Sequence, residues 1–243
     1  MEKHMYSIRP LWAAITMVIM IILIAVILIY LPLSGNKYVS MQTRTLTKMK
    51  LPSPVYSSNV SIEQALKTRR SIRHYKNEPM TLQQISQLLW AAQGITSSEG
   101  FRTAPSAGAL YPLEVYLISG NVRDLLPGVY HYLPQEHVLE LVAEGDKRAD
   151  LAAAALDQND VKMGAADIVI TAVYARTTAK YGSRGERYVH MEAGHAAENV
   201  CLQVTSLGLG MVTIGAFDDA KVSALFGLAG REYPLYILPV GKV

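Results

Sequence analysis

Three stretches of the chain hold side chains whose types and spacing suit chemistry. Residues 68–75, TRRSIRHY, set Arg69, Arg70 and Arg73 around the Ser71 hydroxyl. Guanidinium groups donate in planar forks, so three of them with a hydroxyl suit a phosphate dianion. A solvated basic helix end is the other reading of the same residues. Residues 175–188, ARTTAKYGSRGERY, crowd Lys180, Tyr181, Arg184, Arg187 and Tyr188 into a glycine-containing loop directly after a buried strand. Loops at strand ends often carry function, although a basic surface loop has the same composition. The third stretch, residues 102–117, reads RTAPSAGALYPLEVYL. It places Ala104, Ala107, Gly108 and Ala109 around Ser106, with two prolines before an apolar strand. Small side chains let a backbone come close to something flat or bulky.

Other chemistries find no support. GLGMVTIG contains G-x-G but follows a helix and precedes a strand, the reverse of the dinucleotide-binding order. No Walker sequence and no G-x-S-x-G elbow is present. His190 and His195 are five apart and turn to different helix faces, and the single E-x-x-H of Glu192 and His195 lacks the further carboxylates of a di-metal bundle. No metal is expected. The single cysteine, Cys201, excludes an intrachain disulfide and sits among apolar residues at helical spacing, so it reads as a buried inert thiol. The net charge of +3, without a dense Lys/Arg stripe, gives no case for nucleic acid.

The elements that must position these residues follow from pattern. With 243 residues, half of them hydrophobic, the chain can bury a sizeable core. Residues 1–10 form an N-terminal flank. From Leu11 to Leu31 no residue is charged, and a helix of that length spans about 30 Å, the thickness of a bilayer core. Trp12 and Tyr30 stand near its ends, where aromatic belts lie. A single-pass membrane anchor is expected there; a cleaved signal peptide is the rival, with a shorter apolar stretch and a better cleavage site than LPLSGNKY offers. Lysines and arginines are denser after the anchor, which leans towards a cytoplasmic C-terminal domain. Residues 32–59 read as a tether, and the folded domain, 60–243, is expected to start near Val60. Capping boxes at Ser61/Gln64 and Thr81/Gln84 open two helices. A strand at about 114–119, a hairpin in GVYHYLPQEHVLELV and a buried strand in DIVITAVYA follow. A long helix over about 187–207 presents Ala193, Ala196, Ala197, Val200, Cys201 and Val204 on one face. Strands near 211–216 and 234–240 flank a last helix capped by Asp218. The hairpin breaks a regular β-α-β alternation, so an α+β fold with a mixed sheet layered by helices is expected.

Order along the chain adds to this. RRSIRHY, then PSAGALYPLEVYL, KYGSRGERY, EAGHAAENVCLQVTSLGLG and PLYILPVGK together closely resemble the SagB/ThcOx branch of the nitroreductase-like flavoproteins. The resemblance covers about Val60 to Val243 and leaves out the anchor and tether. It implies FMN bound between the subunits of an intertwined homodimer. On that resemblance Arg69, Arg70, Ser71 and Arg73 grip the phosphate and flavin edge. Pro105, Ser106 and Ala107 lie against the partner's flavin, and Ile214, Gly215 and Ala216 pass the ring from the other side. Lys180 and Tyr181 match a Lys-Tyr pair that is catalytic in azoline-oxidising members. A lysine or tyrosine among cationic neighbours can act as a base if its pKa is lowered.

Two departures qualify the resemblance. The chain stops at PVGKV, short of phosphate-binding residues that other nitroreductases carry, with Lys242 as the available substitute. No leader-peptide recognition domain is visible. Three functions stay open: an FMN-dependent oxidoreductase acting on a small molecule or peptide, with azoline dehydrogenation as the best-defined chemistry; a membrane-anchored NAD(P)H-dependent nitro or quinone reductase; and a non-enzymatic flavin-binding membrane protein.

Overall fold

The computed structural model describes residues 17–18, 20–23, 47–228 and 230–243. Residues 17–18 and 20–23 are helical and exposed. The rest of the expected anchor, the flank and the first part of the expected tether lie outside the described residues. Among the described residues no helix is long and apolar enough to cross a membrane. The chain divides into two units, Met1–Thr45 and Leu46–Val243. The second holds every candidate site residue.

That unit begins earlier than Val60. Lys48–Lys50 forms a strand, β1, whose Met49 stands opposite Leu139. Leu51 is buried, and the Ser86 hydroxyl donates to the Pro52 carbonyl at 2.6 Å. The Gln87 side-chain amide bonds the Val55 backbone in both directions. Residues 47–59 are therefore strapped to the domain. Their attachment uses backbone groups and one buried leucine, which leaves no periodicity to read in a basic, proline-bearing stretch.

Six further strands follow: β2 (Leu113–Ser119), β3 (Gly128–Leu133), β4 (Val138–Glu144), β5 (Ala166–Ala172), β6 (Leu209–Met211) and β7 (Tyr233–Lys242). The sheet order is β1-β4-β3-β2-β5-β7-β6. Every neighbouring pair is antiparallel, which corrects the expected mixed sheet. The reason lies in the connections. β2, β3 and β4 form a meander, and β5 enters beside β2 with Leu113 opposite Ala172 and Ser119 opposite Ala166.

The helices are α1 (Ile62–Thr68), α2 (Leu82–Gln93), α3 (Arg148–Ala154), α4 (Asn159–Met163), α5 (Ala175–Tyr181), α6 (Arg184–Ser206) and α7 (Asp219–Phe226). Thr81 and Gln84 close a reciprocal capping box on α2, and Asp218 caps α7 through the Lys221 N–H at 3.0 Å. Ser61 caps α1 by accepting from the Gln64 N–H. Strand alternation sends Val115, Leu117, Ile168 and Ile170 to one face, against Ile85, Leu88 and Leu89 of α2 and the alanine-rich face of α6. Tyr116, Ile118, Val169 and Ile237 point to the other face, against Leu151 of α3, Val161 of α4 and Phe226 of α7. Full burial of one large aliphatic side chain contributes roughly 1.5–3 kcal/mol, so both helical layers are firmly held. Cys201 is buried in the first core, which pushes its thiol pKa up, as an inert thiol requires.

Candidate active site

The arginine segment runs along the edge of the sheet formed by β6 and β7. The Ile72 N–H donates to the Met211 carbonyl at 2.8 Å, and the Lys76 N–H to the Lys242 carbonyl at 2.9 Å. Arg69 faces Glu198 of α6 at 3.9 Å, and Arg73 faces Asp160 at 3.7 Å. Lys242 faces Glu78 at 3.4 Å. Arg70 and Ser71 are exposed, and the Arg70 guanidinium bonds the Lys67 and Arg69 carbonyls. Ile214, Gly215 and Ala216 leave the same edge. Ile214 is buried and exchanges two 2.9 Å backbone bonds with Ile237. Gly215 and Ala216 are exposed, with no atom nearer than Tyr236, at 3.8 Å, to a side chain built on Gly215. Thr213 touches Cys201, whose neighbours include Glu198 and Arg69, so this segment starts beside the arginines.

The second group assembles around Gly108. A Cβ built there would lie 2.8 Å from Tyr181 Oη and 3.0 Å from Lys180 Nζ, so loop and pair are in contact within one chain. Gly108 has φ 63, a conformation open to glycine. Ala109 (φ 53) and Tyr111 (φ 45) share the left-handed region, which costs an ordinary residue roughly 1–2 kcal/mol. Tyr111 is held there from three sides. Its N–H donates to Ser106 Oγ at 2.9 Å, its carbonyl accepts from Arg176 at 3.0 Å, and Arg102 lies 4.5 Å over its ring.

Lys180 and Tyr181 lie on α5, a helix where sequence reading expected a loop, and α6 begins at Arg184. Gly185 allows this: a Cβ there would fall 2.9 Å from Thr178 Cα, so the two helices close on each other. Arg176 bonds Glu114 at the start of β2, and Glu114 also bonds His131 Nε2 at 2.8 Å. Burial alone would raise the Glu114 carboxyl, but these two partners outweigh it and hold the pKa low. The Tyr181 ring stands edge-on to Tyr188 of α6 at 5.1 Å.

Below the loop, Pro105, Ser106 and Ala107 share a cavity of about 250 Å³ with Tyr188, Met191, Glu192 and His195. Glu192 is 2% exposed, and its Oε1 has no hydrogen-bond partner. Burial pushes its carboxyl up to about 7, with Ser106 and Arg102 pulling it back. Gln93 Nε2 and Arg102 Nε are likewise buried without partners, although Arg102 donates to Gln93 Oε1 at 2.7 Å.

The structure thus gathers the expected residues into two groups. One holds Arg69, Arg70, Ser71, Arg73, Ile214, Gly215, Ala216 and Lys242 along the β6–β7 edge. The other holds Pro105, Ser106, Ala107, Lys180 and Tyr181. Glu198, beside the first, and Glu192, beside the second, are six residues apart on α6, about 9 Å along its axis. Sequence reading passed over Gln93, Arg102, Glu114, Arg176 and the burial of Glu192. For Glu192 a signal existed: it lies at the i+3 position from Val189, on the stripe that Ala193 and Ala196 continue.

The nitroreductase family model matches residues 66–242. A Methanocaldococcus jannaschii protein named as a nitroreductase is 46% identical over 186 residues, 75% of this chain and 91% of its own. The crystal structure of a protein from Ralstonia eutropha, also described as a nitroreductase, superposes with a TM-score of 0.70 at 31% identity, covering 81% of this chain and 89% of that one. McbC, the microcin B17-processing protein of Escherichia coli, is 32% identical over 149 residues, 58% of this chain and about half of its own length, 54%. The chain belongs to the nitroreductase family. It is an oxidoreductase, which sets aside the non-enzymatic reading.

Proposed function

We propose that the chain is an FMN-dependent dehydrogenase that oxidises azoline rings of a peptide to azoles. The observation that carries this reading is the contact of Lys180 and Tyr181 with Gly108, which puts two proton-bearing side chains against the loop made of small residues. Bound FMN supplies the hydride acceptor. The chain's own part is to bind, orient and move a proton. Lys180 or Tyr181 removes the proton from ring carbon, and Arg176 with Glu114 fixes α5 so that neither drifts. The β6–β7 edge fits the phosphate: Arg70 and Ser71 are exposed, and Arg69 and Arg73 face carboxylates only at 3.9 and 3.7 Å, loosely enough to turn. Between the strand-bonded Ile214 and Ala216, whose carbonyl accepts from Gln158 Nε2, the exposed Gly215 offers open backbone to the flavin ring, and Lys242 reinforces the phosphate end.

A homodimer is part of the same proposal. Val55, Tyr56, Ile62 and Leu66 are large, apolar and exposed, beside a groove of about 420 Å³ that Trp90 and Leu202 line. Such a surface suits a second copy. In that arrangement the loop of one subunit serves the other's flavin. Residues 11–31 are proposed to anchor the dimer in the membrane, on their length and lack of charge. Resistance of the full chain to alkaline carbonate extraction tests the anchor, and light scattering in detergent tests the dimer.

A second reading, NAD(P)H-dependent reduction of nitro compounds or quinones, is favoured by the 46% identity to a protein named as a nitroreductase. One experiment separates the two. The full chain, purified in detergent with its flavin, is mixed anaerobically with a thiazoline peptide or with NADH. Bleaching by the peptide, with a product lighter by two hydrogens, supports the dehydrogenase. Bleaching by NADH alone, followed by rapid reoxidation with a quinone, supports the reductase.

A further inference from the structure

We propose that residues 51–58 form a latch pinned by His137: it is closed over α2 and α6 while the imidazole is neutral, and it is released when the ring takes a second proton. The pin sits in the turn between β3 and β4. The Leu51 N–H donates to the His137 carbonyl at 3.1 Å, and the Pro52 carbonyl accepts from the Ser86 hydroxyl at 2.6 Å. His137 Nε2 lies 3.0 Å from the same carbonyl and 2.8 Å from Ser86 Oγ. Its Nδ1 lies 2.9 Å from Tyr132 Oη. A carbonyl can only accept, so Nε2 carries the proton, and Nδ1 is left to accept from the tyrosine. His137 also holds a left-handed φ of 51, which is uncommon away from glycine.

Beyond the pin few groups hold the latch. Gln83 Nε2 donates to the Ser53 carbonyl at 3.1 Å, Gln87 bonds the Val55 backbone, and Ser58 Oγ lies 2.7 Å from Ser206 Oγ. Tyr56 stands edge-on to Trp90 at 5.4 Å yet is 78% exposed. Segments with little apolar burial open locally at small cost, so loss of the pin frees this one. Val55, Tyr56, Ser57 and Ser58 wall the groove of about 420 Å³, and release of the latch removes that wall.

The pH direction follows from the hydrogen bonds. A proton on Nδ1 turns an acceptor into a donor facing Tyr132, whose buried hydroxyl has no other hydrogen bond among the described residues. Burial opposes the charge most. The Pro52 carbonyl favours it and Lys50 opposes it, and the net effect lowers the His137 pKa from its ordinary 6.5. The latch is therefore held above about 6.5 and loosens as pH falls below that value. The charged and titratable groups around the ring are Lys50 on β1, Glu136 beside it in the turn and Tyr132 on β3. Glu136 also pairs with Lys48 of β1, and Arg102 lies beyond Tyr132. α2 presents the uncharged Ser86.

Only the consequence for docking rests on the homodimer reading, so the decisive measurement is made on the latch itself. Hydrogen exchange of the 51–58 amides is followed in the full chain in detergent and corrected for its intrinsic pH dependence. In the parent it should rise several-fold between about pH 7 and about pH 5. His137→Gln, uncharged throughout, should show no rise. Ser86→Ala removes a bond to Pro52 without removing the titrating ring, so it should exchange faster at every pH and keep the rise. A flat parent profile, an equal rise in His137→Gln, or an equal rise in the α7 amides overturns the proposal. If His137→Gln does not fold, Ser86→Ala exchanging no faster than the parent overturns it. Light scattering should show the dimer weakening over the same pH range in the parent alone. A dimer indifferent to pH while the exchange result holds would remove the second copy from the groove and leave the latch standing.

Discussion

The two groups along α6 differ in how their polar atoms are satisfied. On the β6–β7 edge the cations are exposed or half-buried, and Arg69, Arg73 and Lys242 each face a carboxylate at 3.4–3.9 Å, exposed for Glu198 and Glu78 and buried for Asp160. Contacts of that kind contribute little to folding and exchange readily for a ligand. Beneath the small-residue loop the polar atoms are buried, and Gln93 Nε2, Arg102 Nε and Glu192 Oε1 have no partner. There the fold holds polar groups at a cost that only positioning justifies. The edge reads as a place to bind, and the loop region as a place where geometry is set.

The sharpest way to break this contrast is at the loop. Lys180→Ala and Tyr181→Phe should keep flavin and dimer but lose ~10²–10⁴ in the rate of substrate-driven flavin reduction, followed by stopped-flow absorbance. Rates within about twofold of the parent would return both residues to an ordinary surface. Gly108→Ala should come next. Its Cβ would press on Tyr181 Oη and Lys180 Nζ, the free ends of flexible side chains, so they shift and the fold survives. A displacement of about 1 Å can cost ~10² in rate, whereas the left-handed backbone costs roughly 1–2 kcal/mol of stability. Kinetics and thermal melts on one sample separate the two effects. If both fall in proportion, the contact is merely structural.

Glu192 sharpens the comparison through pH. Its folded pKa, about 7, lies above the ordinary 4.5, so the folded state keeps a proton that the unfolded state has lost. Stability is fully present below about 4.5 and falls as pH rises through about 7, by roughly 3 kcal/mol in all. Denaturant melts across that range should show the slope, and Glu192→Gln should flatten it. The smallest effect belongs to the edge. Arg70→Ala, which breaks only bonds to neighbouring carbonyls, should weaken FMN about tenfold through one lost charge-assisted contact. Its melting temperature should stay at the parental value. A stability loss without an affinity change would reverse the roles of the two regions.

Much of this molecule was legible in its sequence, unevenly and for physical reasons. The apolar stripe of α6 was readable because 3.6-residue periodicity over 23 residues has few alternatives. β5 was readable because burial on both faces makes a continuous β-branched run. β1 was not, since a three-residue edge strand is defined by backbone bonds to β4 and carries no pattern of its own. The helical form of Ala175–Tyr181 was hidden because its glycine-rich flank looks like a loop until Gly185 packs on Thr178.

The sequence by itself determined the order of the motifs, the two helical layers' apolar faces and the arginine-serine chemistry of residues 69–73, all of which are local or periodic. Only the tertiary structure decided that the sheet is antiparallel throughout, that Gly108 meets Lys180 and Tyr181 across some 70 residues of chain, and that the charge of Glu192 falls inside the protein. Those are facts about which surfaces face each other. Residue type and spacing set what a side chain can do, whereas burial and contact set what it is made to do, and both depend on the whole fold closing around it.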